Sequence, residues 1–521
     1  MVTAGQRAGR TEWIALALML MACLAVTMDL TILLLAAPRL SVDLEADSNQ
    51  LLWITDAYGF CIAGGLILAG SAGDRFGHKR VLLAGIGLFG AASLAASAAN
   101  GPMVLIVARG VQGLGGAMLL PSTMAMIFTM FPDRTQRARA LGILMAFFGL
   151  GAALGPIVGG CLLEWFSWRS VFIPNVPIAA LVLIVGMKLM PRSAKLGTHR
   201  IDFVSACLSC AAILLAVYGM KQAARNGLAP LDLATLVVAF GLGAGFVVRQ
   251  RRHAHPLVDL RLFRSPTFSA VLAANLLCFF VFYGISFFIS QYLQLVLHLS
   301  PLSAGLWQLP GVACMMIASG LAPALADRIG PGRLIVGGML VTATGLAALT
   351  ALDLHAGLPL LIPAVMLMSV GVVPAGVLGI NLIVGAAPVA RAGMAAGVGQ
   401  AVNELGGALG IALMGALGTS VFRSAVVDRS NLTSGEVPET LAEVVASNPA
   451  ADLLAEAERS FLSGMHVVAV VGAVTLTLAA PMLLRALRSA RMDLDPMEAI
   501  EAAHQPTQQE VAPAAERVAE Q

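Results

Sequence analysis

Four ionisable side chains lie inside long apolar stretches of the sequence: Asp29, Asp56, Arg109 and Glu404. A charge at the centre of a membrane helix costs about 2.5–3.5 kcal/mol on insertion scales, so such a residue usually faces a cavity and has a function. An unpaired carboxyl group in a low dielectric favours its protonated form. Such a group can release its proton when a cation arrives. We therefore predict Asp29, Asp56 and Glu404 to be shared sites for protons and cations.

Arg109 lies on a helix face with distinctive neighbours. Gln112, Gly113 and Gly116 follow it at intervals of three, four and seven residues, and these intervals return to the same side of a helix. A buried guanidinium needs a carboxylate or a carbonyl group as its partner. Asp56 lies only about one turn into its helix, so pairing with Arg39 or with a helix end is the alternative to a binding role there.

The elements that carry these residues are membrane helices. The chain has 521 residues, of which 58% are hydrophobic and only 12% charged, and its mean hydropathy is +0.86. About a quarter of the residues would be charged in a soluble protein. Apolar runs of about 20 residues recur along the whole chain, each long enough to cross a bilayer. We predict fourteen spans, at about 13–37, 51–71, 80–99, 102–130, 138–160, 170–190, 202–220, 230–249, 267–293, 302–325, 333–351, 357–385, 393–420 and 461–486.

Basic residues predict the orientation of these spans, because cytoplasmic segments are enriched in Lys and Arg. With the N-terminus in the cytoplasm, 24 of the 32 Lys and Arg residues fall on the cytoplasmic side, seven fall outside, and Arg109 lies within a span. We expect a multi-pass protein of the bacterial cytoplasmic (inner) membrane with both termini in the cytoplasm. Orientation explains the basic loops, which therefore do not indicate nucleic-acid binding.

An internal repeat divides the chain into two halves. The segment GDRFGHKR at 73–80 recurs as ADRIGPGR at 326–333, so Asp74 and Arg75 correspond to Asp327 and Arg328. Each copy joins the second and third helices of a six-helix set, and this predicts a binding site between the halves near the midplane. The predicted organisation is a cytoplasmic N-terminus (1–12), a first six-helix bundle (13–190), two additional spans with linkers (191–266), a second bundle (267–486) with an external loop at 421–460, and a disordered cytoplasmic tail (487–521).

The motifs resemble those of the major facilitator superfamily and, within it, the 14-helix drug:proton antiporters of the QacA type. The resemblance runs through nearly all spans and depends on five motifs in order: MDLTILLLAAPRL at 28–40, GDRFGHKR at 73–80, RGVQGLG at 109–115, a glycine-rich motif at 142–160, and WRSVFIPNVP at 168–177. A leucine replaces the polar Asn that is usual in the first motif. The resemblance implies an all-α polytopic membrane protein with two six-helix bundles and two extra helices.

The resemblance also implies roles for the motif residues. Arg109 and Gln112 would modulate proton transfer at a nearby acid; the alternative is an ion pair that only fixes helix packing. Asp74, Arg75, Asp327 and Arg328 would form a latch that holds one conformation. The glycine motif, which the family associates with antiport, would govern opening between the bundles through close packing and a bend. Its residues are Gly142, Gly151, Gly155, Pro156, Gly159 and Gly160.

Aromatic residues on several spans are candidates for the wall of a cation pocket. An aromatic face attracts a quaternary ammonium group by about 0.5–2 kcal/mol. The alternative for each residue is that it faces lipid or packs between helices. The candidates are Trp53, Tyr58, Phe279, Phe282, Tyr283 and Trp307.

These features favour proton-coupled export of lipophilic or quaternary ammonium cations by alternating access. The expected partners are small lipophilic cations, protons and membrane lipids; the proton gradient supplies energy, and no cofactor or metal is expected. A carrier of a lipid or an endogenous metabolite is the alternative, although one buried base against three buried acids favours cations. An enzyme is not expected, because the eight histidines are scattered with no partner pattern. No GxxxxGK[ST] motif is present, which excludes ATP-driven transport by this chain alone. The oligomeric state and the choice between monocations and dications stay open.

Overall fold

The computed structural model describes residues 8–46, 48–191, 202–226, 230–252, 258, 260–354, 357–386, 392–430, 440–446 and 451–487. The predicted tail beyond residue 487 and parts of the predicted external loop lie outside these ranges. All regular structure within them is helical. The helices are α1 (Arg10–Asp43), α2 (Ser48–Phe76), α3 (His78–Ser97), α4 (Pro102–Met130), α5 (Arg134–Trp165), α6 (Asn175–Leu189), α7 (Phe203–Asn226), α8 (Pro230–Arg252), α9 (Pro266–Gln291), α10 (Pro301–Ile329), α11 (Pro331–Leu349), α12 (Gly357–Gly385), α13 (Ala392–Leu409), α14 (Gly415–Ser430), α15 (Leu441–Ala446) and α16 (Ala451–Leu487).

Each predicted span coincides with a helix of the structure. A π-helical turn, Gly410–Met414, joins α13 and α14, so these three elements form the thirteenth predicted span. Twelve helical segments in the described part of the chain are long and apolar enough to cross a membrane, and Cys207–Met220 of α7 is a shorter apolar helix. The prediction of an all-α polytopic membrane protein is confirmed. The count of fourteen spans and the cytoplasmic location of the termini stay predictions.

The helices pack as two sets with α7 and α8 beside them. In the first set α4 packs against α2 and α3, and α1 packs against α5. In the second set α12 packs against α10 and α11, and α9 packs against α13 and α16. The two sets meet along α5 with α10 and along α2 with α13. Helix α7 pairs with α8 and covers the α2–α13 seam, since it contacts both helices. Arg249 of α8 donates two hydrogen bonds, of 2.9 and 3.0 Å, to the Asp202 carboxylate that precedes α7.

Glycines of α5 allow both α1 and α10 to pack closely against α5. A Cβ atom on Gly151 would lie 2.9 Å from the Leu24 carbonyl oxygen, and one on Gly155 would lie 2.8 Å from that of Met28. A Cβ atom on Gly142 would lie 2.9 Å from the Ser319 carbonyl oxygen in the second set. Small residues let membrane helices pack backbone to backbone. Gly151 and Gly155 therefore allow α5 to pack tightly on α1 within the first bundle, and Gly142 allows α5 to pack tightly on α10 of the second.

The other residues of this motif contribute differently. Gly159 is buried, whereas no atom lies within 4 Å of a Cβ built on Gly160. The side chain of Pro156 lies outside the described part of the structure.

These contacts predict that Gly151→Val and Gly155→Val destabilise the protein, whereas Gly160→Val does not. Overpacking a tight contact costs about 1–3 kcal/mol because the helices have to separate. Thermal unfolding in detergent should show a lower apparent Tm for the first two variants only. Equal Tm values for all three variants would contradict this account of α1–α5 packing.

Candidate functional site

Asp29 of α1 lies at the centre of a buried polar cluster in the first bundle. Its exposed fraction is 0%. Arg109 Nη1 forms an ion pair with Asp29 Oδ2, and Asp29 Oδ1 accepts hydrogen bonds from Gln112 Nε2 at 2.9 Å and Asn175 Nδ2 at 2.8 Å. Each of these partners is a donor, so both buried oxygens of the carboxylate are satisfied. The structure therefore brings together three of the predicted site residues, Asp29, Arg109 and Gln112.

Ser93 of α3 and Asn175 of α6 complete this cluster. Ser93 Oγ accepts hydrogen bonds from Gln112 Nε2 at 2.8 Å and Asn175 Nδ2 at 3.3 Å, and it donates to the Phe89 carbonyl oxygen at 2.9 Å. No role was predicted from the sequence for either residue. Asn175 lies in the motif WRSVFIPNVP, which was the available signal, whereas Ser93 lies in an ordinary apolar run with no motif around it.

Contacts at the end of the first bundle fix the segment that carries Asn175. Trp168–Phe172 forms a 3₁₀ turn that leads into α6. Trp168 Nε1 and Arg169 Nη1 each donate a 2.7 Å hydrogen bond to Asp43 Oδ2 after the membrane-spanning part of α1. These hydrogen bonds lower the pKa of the Asp43 carboxyl group, with the larger effect from Trp168. The turn also places the Phe172 ring 6.0 Å from the Arg109 guanidinium carbon.

Arg109 is held on its other sides by α2. Its Nε donates to the Ile54 carbonyl oxygen at 3.3 Å, and its guanidinium carbon lies 4.3 Å from the centre of the Tyr58 ring. The side chain is only 1% exposed. Removing one partner of a buried ion pair typically costs about 3–5 kcal/mol. In this conformation, a cation could reach the Asp29 carboxylate only after this cluster had opened.

Tyr58 does not line an open pocket in this structure. It is fully buried, and its hydroxyl group donates a 2.8 Å hydrogen bond to the Val26 carbonyl oxygen. A Cβ atom on Gly116 would lie 3.5 Å from that hydroxyl oxygen, and the Gly113 backbone packs against the Tyr58 backbone. Gly113 and Gly116, four and seven residues after Arg109 on α4, therefore leave room for the Tyr58 ring beside the guanidinium.

Glu404 of α13 has a different environment. It is half-buried, and Gln400 Nε2 donates a 3.3 Å hydrogen bond to its Oε1. In the described part of the chain no Lys, Arg or His forms an ion pair with it. The Tyr283 ring of α9 packs on Gly407, which lies three residues after Glu404 on α13. Among the described residues Glu404 is therefore an acid without a basic partner, about one helical turn from the Tyr283 contact.

Aromatic rings of α9 lie next to this acid. Tyr283 is 44% exposed and packs on Gly407, where a Cβ atom would lie 3.0 Å from its ring. It stacks on Phe279 at 6.1 Å and meets Phe282 edge-on at 5.9 Å. A Cβ atom on Gly376 of α12 would lie 3.8 Å from the Phe279 ring and 3.9 Å from Met145 Sδ of the first bundle. This aromatic group therefore extends to the boundary between the two bundles.

Among the described residues, no contact joins the other predicted binding residues, Trp53, Trp307 and Asp56, to Glu404. Trp53 stacks on Tyr218 of α7 at 5.4 Å, so it joins an extra helix to the first bundle. Trp307 of α10 is 42% exposed. Asp56 belongs to α2, but its side chain lies outside the described part of the structure.

Asp74 forms a contact between the two halves. Its Oδ2 accepts a 2.9 Å hydrogen bond from the Met394 backbone N–H in the first turn of α13, and its Oδ1 lies 3.1 Å from His78 Nε2. A carboxylate is stabilised at a helix N-terminus, where the helix dipole is positive. The neighbouring Arg75 lies over the Phe76 ring at 5.1 Å. The equivalent residues of the repeat, Asp327 and Arg328, are exposed.

The fold is that of a polytopic helical membrane protein, and comparison with known proteins identifies its family. The profile of the Major Facilitator Superfamily matches residues 18–411. The human organic anion transporter MFSD10 superposes with a TM-score of 0.61 at 14% identity, covering 91% of this chain and 99% of that one. The proton:xylose symporter XylE gives 0.60 at 15% identity, covering 94% and 98%. The chain belongs to the Major Facilitator Superfamily, and the predicted resemblance to it is confirmed.

Relatives with similar sequences are drug-resistance and efflux proteins of bacteria. The multidrug efflux pump LfrA of Mycolicibacterium smegmatis is 37% identical over 477 residues, which cover 90% of this chain and 95% of LfrA. The tetracenomycin C resistance and export protein of Streptomyces glaucescens is 33% identical, covering 90% of each chain. The methyl viologen resistance protein SmvA of Salmonella typhimurium is 33% identical, covering 82% of this chain and 86% of SmvA. The protein is thus a transporter and not an enzyme, and it is a multi-pass protein of the bacterial inner membrane.

The Asp74 contact predicts that Asp74→Asn weakens the docking of α13 on α2. A charge at a helix N-terminus contributes about 0.3–1 kcal/mol, and up to about 2 kcal/mol in partly buried geometries. In lipid nanodiscs, hydrogen exchange of backbone amides in the first turns of α13 should become several-fold faster. Asp327→Asn is the matched control, because that side chain is exposed. Equal exchange in the two variants would mean that Asp74 does not hold this contact.

Proposed function

We propose that the protein exports lipophilic organic cations in exchange for protons and that Glu404 is the site for which the two compete. The observation that carries this proposal is the position of Glu404, which has no basic partner among the described residues and lies one turn from the contact of Gly407 with the half-exposed Tyr283. The drug-efflux and resistance proteins among the relatives support drug efflux as the broader function. The cationic character of the cargo is inferred from the site.

The chemistry of this site suits a monovalent lipophilic cation. A proton neutralises the carboxylate when the site is empty, and a cation replaces that proton when it binds. The rings of Tyr283 and Phe279 offer apolar surface and a cation–π attraction of about 0.5–2 kcal/mol each. Gly407 and Gly376 allow α13 and α12 to pack close to these rings. The site therefore recognises charge and aromatic contact more than a particular shape, which suits several cargoes.

The Asp29 cluster has a separate role in this proposal. Its carboxylate already has Arg109, Gln112 and Asn175 as donors, so it has little left to offer a cation. A proton that binds to Asp29 would weaken the ion pair and free the guanidinium. We therefore assign Asp29 to proton binding and Arg109 to its control, while Glu404 binds the cargo.

The contacts between the bundles indicate which side of the transporter is closed. Asp74 with Met394, Gly142 with Ser319 and Gly397 with Leu66 all join helix segments at the end that carries the repeated loops. The Lys and Arg distribution supports a cytoplasmic location for that end. In this proposal the structure corresponds to the outward-facing conformation. Exchange of one proton for one monovalent cation moves no net charge, so the pH gradient drives it, whereas a second proton per cycle would add about 2.3 kcal/mol at a membrane potential of 100 mV.

A carrier of an anionic lipid or metabolite would need a free base in the cavity. Arg109 is the buried base that the sequence offers, and Asp29 already neutralises it. This observation weighs against the alternative cargo.

Glu404→Gln should abolish the exchange. Adding ethidium to wild-type protein in weakly buffered detergent solution should release protons, and the amide variant should release none and lose at least about tenfold in export rate. Glu458→Gln is the matched control, because Glu458 pairs with His298 at 3.2 Å, away from Tyr283. Undiminished proton release from the Glu404 variant would exclude Glu404 as the shared site.

Tyr283→Ala should weaken cation binding without removing proton binding. Loss of a cation–π contact of about 0.5–2 kcal/mol raises the Kd about 2–30-fold, whereas Tyr283→Phe should stay within about twofold. Phe240→Ala on α8 is the control for loss of an exposed ring, since Phe240 is 81% exposed. Ethidium fluorescence titrations measure all three. If the alanine variant at 283 binds as tightly as that at 240, Tyr283 is not part of the pocket.

A further inference from the structure

His78 is a buried titratable side chain to which the proposed exchange gives no role. It is the first residue of α3 and is only 3% exposed. Its Nε2 lies 3.1 Å from Asp74 Oδ1, while Asp74 Oδ2 accepts the hydrogen bond from the Met394 backbone N–H. One carboxylate therefore joins an imidazole ring of the first bundle to the N-terminal turn of α13 in the second.

The surroundings of the His78 ring show which nitrogen carries hydrogen in the neutral form. Nε2 faces a carboxylate oxygen, so it is the donor, and Nδ1 keeps its lone pair. Nδ1 has no hydrogen-bond partner among the described residues and packs against Gly73, on which a Cβ atom would lie 2.1 Å from it. A second hydrogen on the ring would therefore lie at Nδ1 without an acceptor, and a buried donor without an acceptor is unfavourable.

A charge on His78 would also act on the contact between Asp74 and α13. The N-terminus of a helix carries a partial charge of about +0.5, which attracts the Asp74 carboxylate. An imidazolium at the other carboxylate oxygen would neutralise that carboxylate and repel the helix terminus. A proton on His78 and the N-terminus of α13 therefore compete for one negative charge.

Asp74 is the charged side chain that contacts the His78 ring within the described part of the chain. Lys79 donates hydrogen bonds of 2.6 and 2.9 Å to backbone carbonyl oxygens at the end of α6, and the Arg75 guanidinium lies over the neighbouring Phe76 ring. The ionisable residues of the neighbouring segments are the exposed Arg80, Asp133 before α5, Glu404 farther along α13, and Arg391, which lies outside the described residues. A change of charge on His78 therefore acts first on Asp74.

We propose that His78 makes the contact between α2 and α13 sensitive to pH. With a neutral ring, Asp74 holds the α13 N-terminus and this end of the transporter is closed. A proton taken up by His78 weakens the contact, and the two halves separate here more readily because water then solvates the imidazolium. By linkage, acid pH favours the open form of this end. In the proposed exchange this end receives the protons, so an acidified cytoplasm would retain the carrier in its inward-facing form. That consequence rests on the proposed function, whereas the pH response does not.

The test is hydrogen exchange of the backbone amides in the first turns of α13, measured on the full chain in lipid nanodiscs at about pH 6 and about pH 8, the range in which histidine titrates. Exchange is expressed as a protection factor, which removes the effect of pH on the chemical rate. Wild-type protection should fall about three- to tenfold from the higher to the lower pH. His78→Gln keeps an amide donor but cannot take up the proton, so its protection should change less than about twofold. His78→Lys carries a permanent charge and should show low protection at both pH values.

The outcomes separate this inference from the proposed function. Equal wild-type protection at both pH values, or the full pH response in His78→Gln, would overturn the role of His78. Glu404→Gln should keep the wild-type response, and a response lost there but kept in His78→Gln would assign it to the cargo acid instead. Loss of ethidium-driven proton exchange together with an intact His78 response would overturn only the proposed function. Wild-type protection at the higher pH shows that the Gln variant is folded, and His78→Asn replaces it if that condition fails.

Discussion

A buried guanidinium is the constraint around which the first bundle is built. Arg109 has almost no exposed surface, and a charge in that position requires an opposite charge and a partner for each donor. Helix α1 supplies Asp29, α2 supplies the Ile54 carbonyl oxygen and the Tyr58 ring, and α6 supplies Asn175, which shares Asp29 with the arginine. Together with α4, which carries Arg109, four helices therefore meet at this charge. The ion pair and hydrogen bonds orient these helices, in addition to the close backbone packing at small residues.

Two carboxyl groups with the same intrinsic chemistry lie in different surroundings. Asp29 is closed off and surrounded by donors, whereas Glu404 is half-buried, with one amide donor and no basic partner among the described residues. The donors around Asp29 leave little of its carboxylate for a ligand, whereas the surroundings of Glu404 leave its carboxyl group available to one. This difference supports the separate roles that we propose for the two acids.

The sequence predicted the helices and the buried charges well, for a physical reason. Long apolar runs have one stable form in a bilayer, and an ionisable residue inside such a run stands out. The partners of Asp29 were harder to predict, because Asn175 is 146 residues away and only the three-dimensional packing unites them. Tyr58 illustrates the same limit, since periodicity shows that it is in a helix but not that its ring lies under Arg109. The two copies of the repeated loop are also unequal: Asp74 contacts α13, whereas Asp327 is exposed.

Helix α2 connects the ion pair of the first bundle with the contact between the two halves. Tyr58 faces the Arg109 ion pair, Leu66 touches α13, and Asp74 accepts the hydrogen bond from the α13 N-terminus. From Tyr58 to Asp74 is 16 residues, or about 24 Å of continuous helix. In the exchange that we propose, a movement of this segment of α2 changes all three contacts. The ion pair and the contact between the halves are therefore linked through one helix.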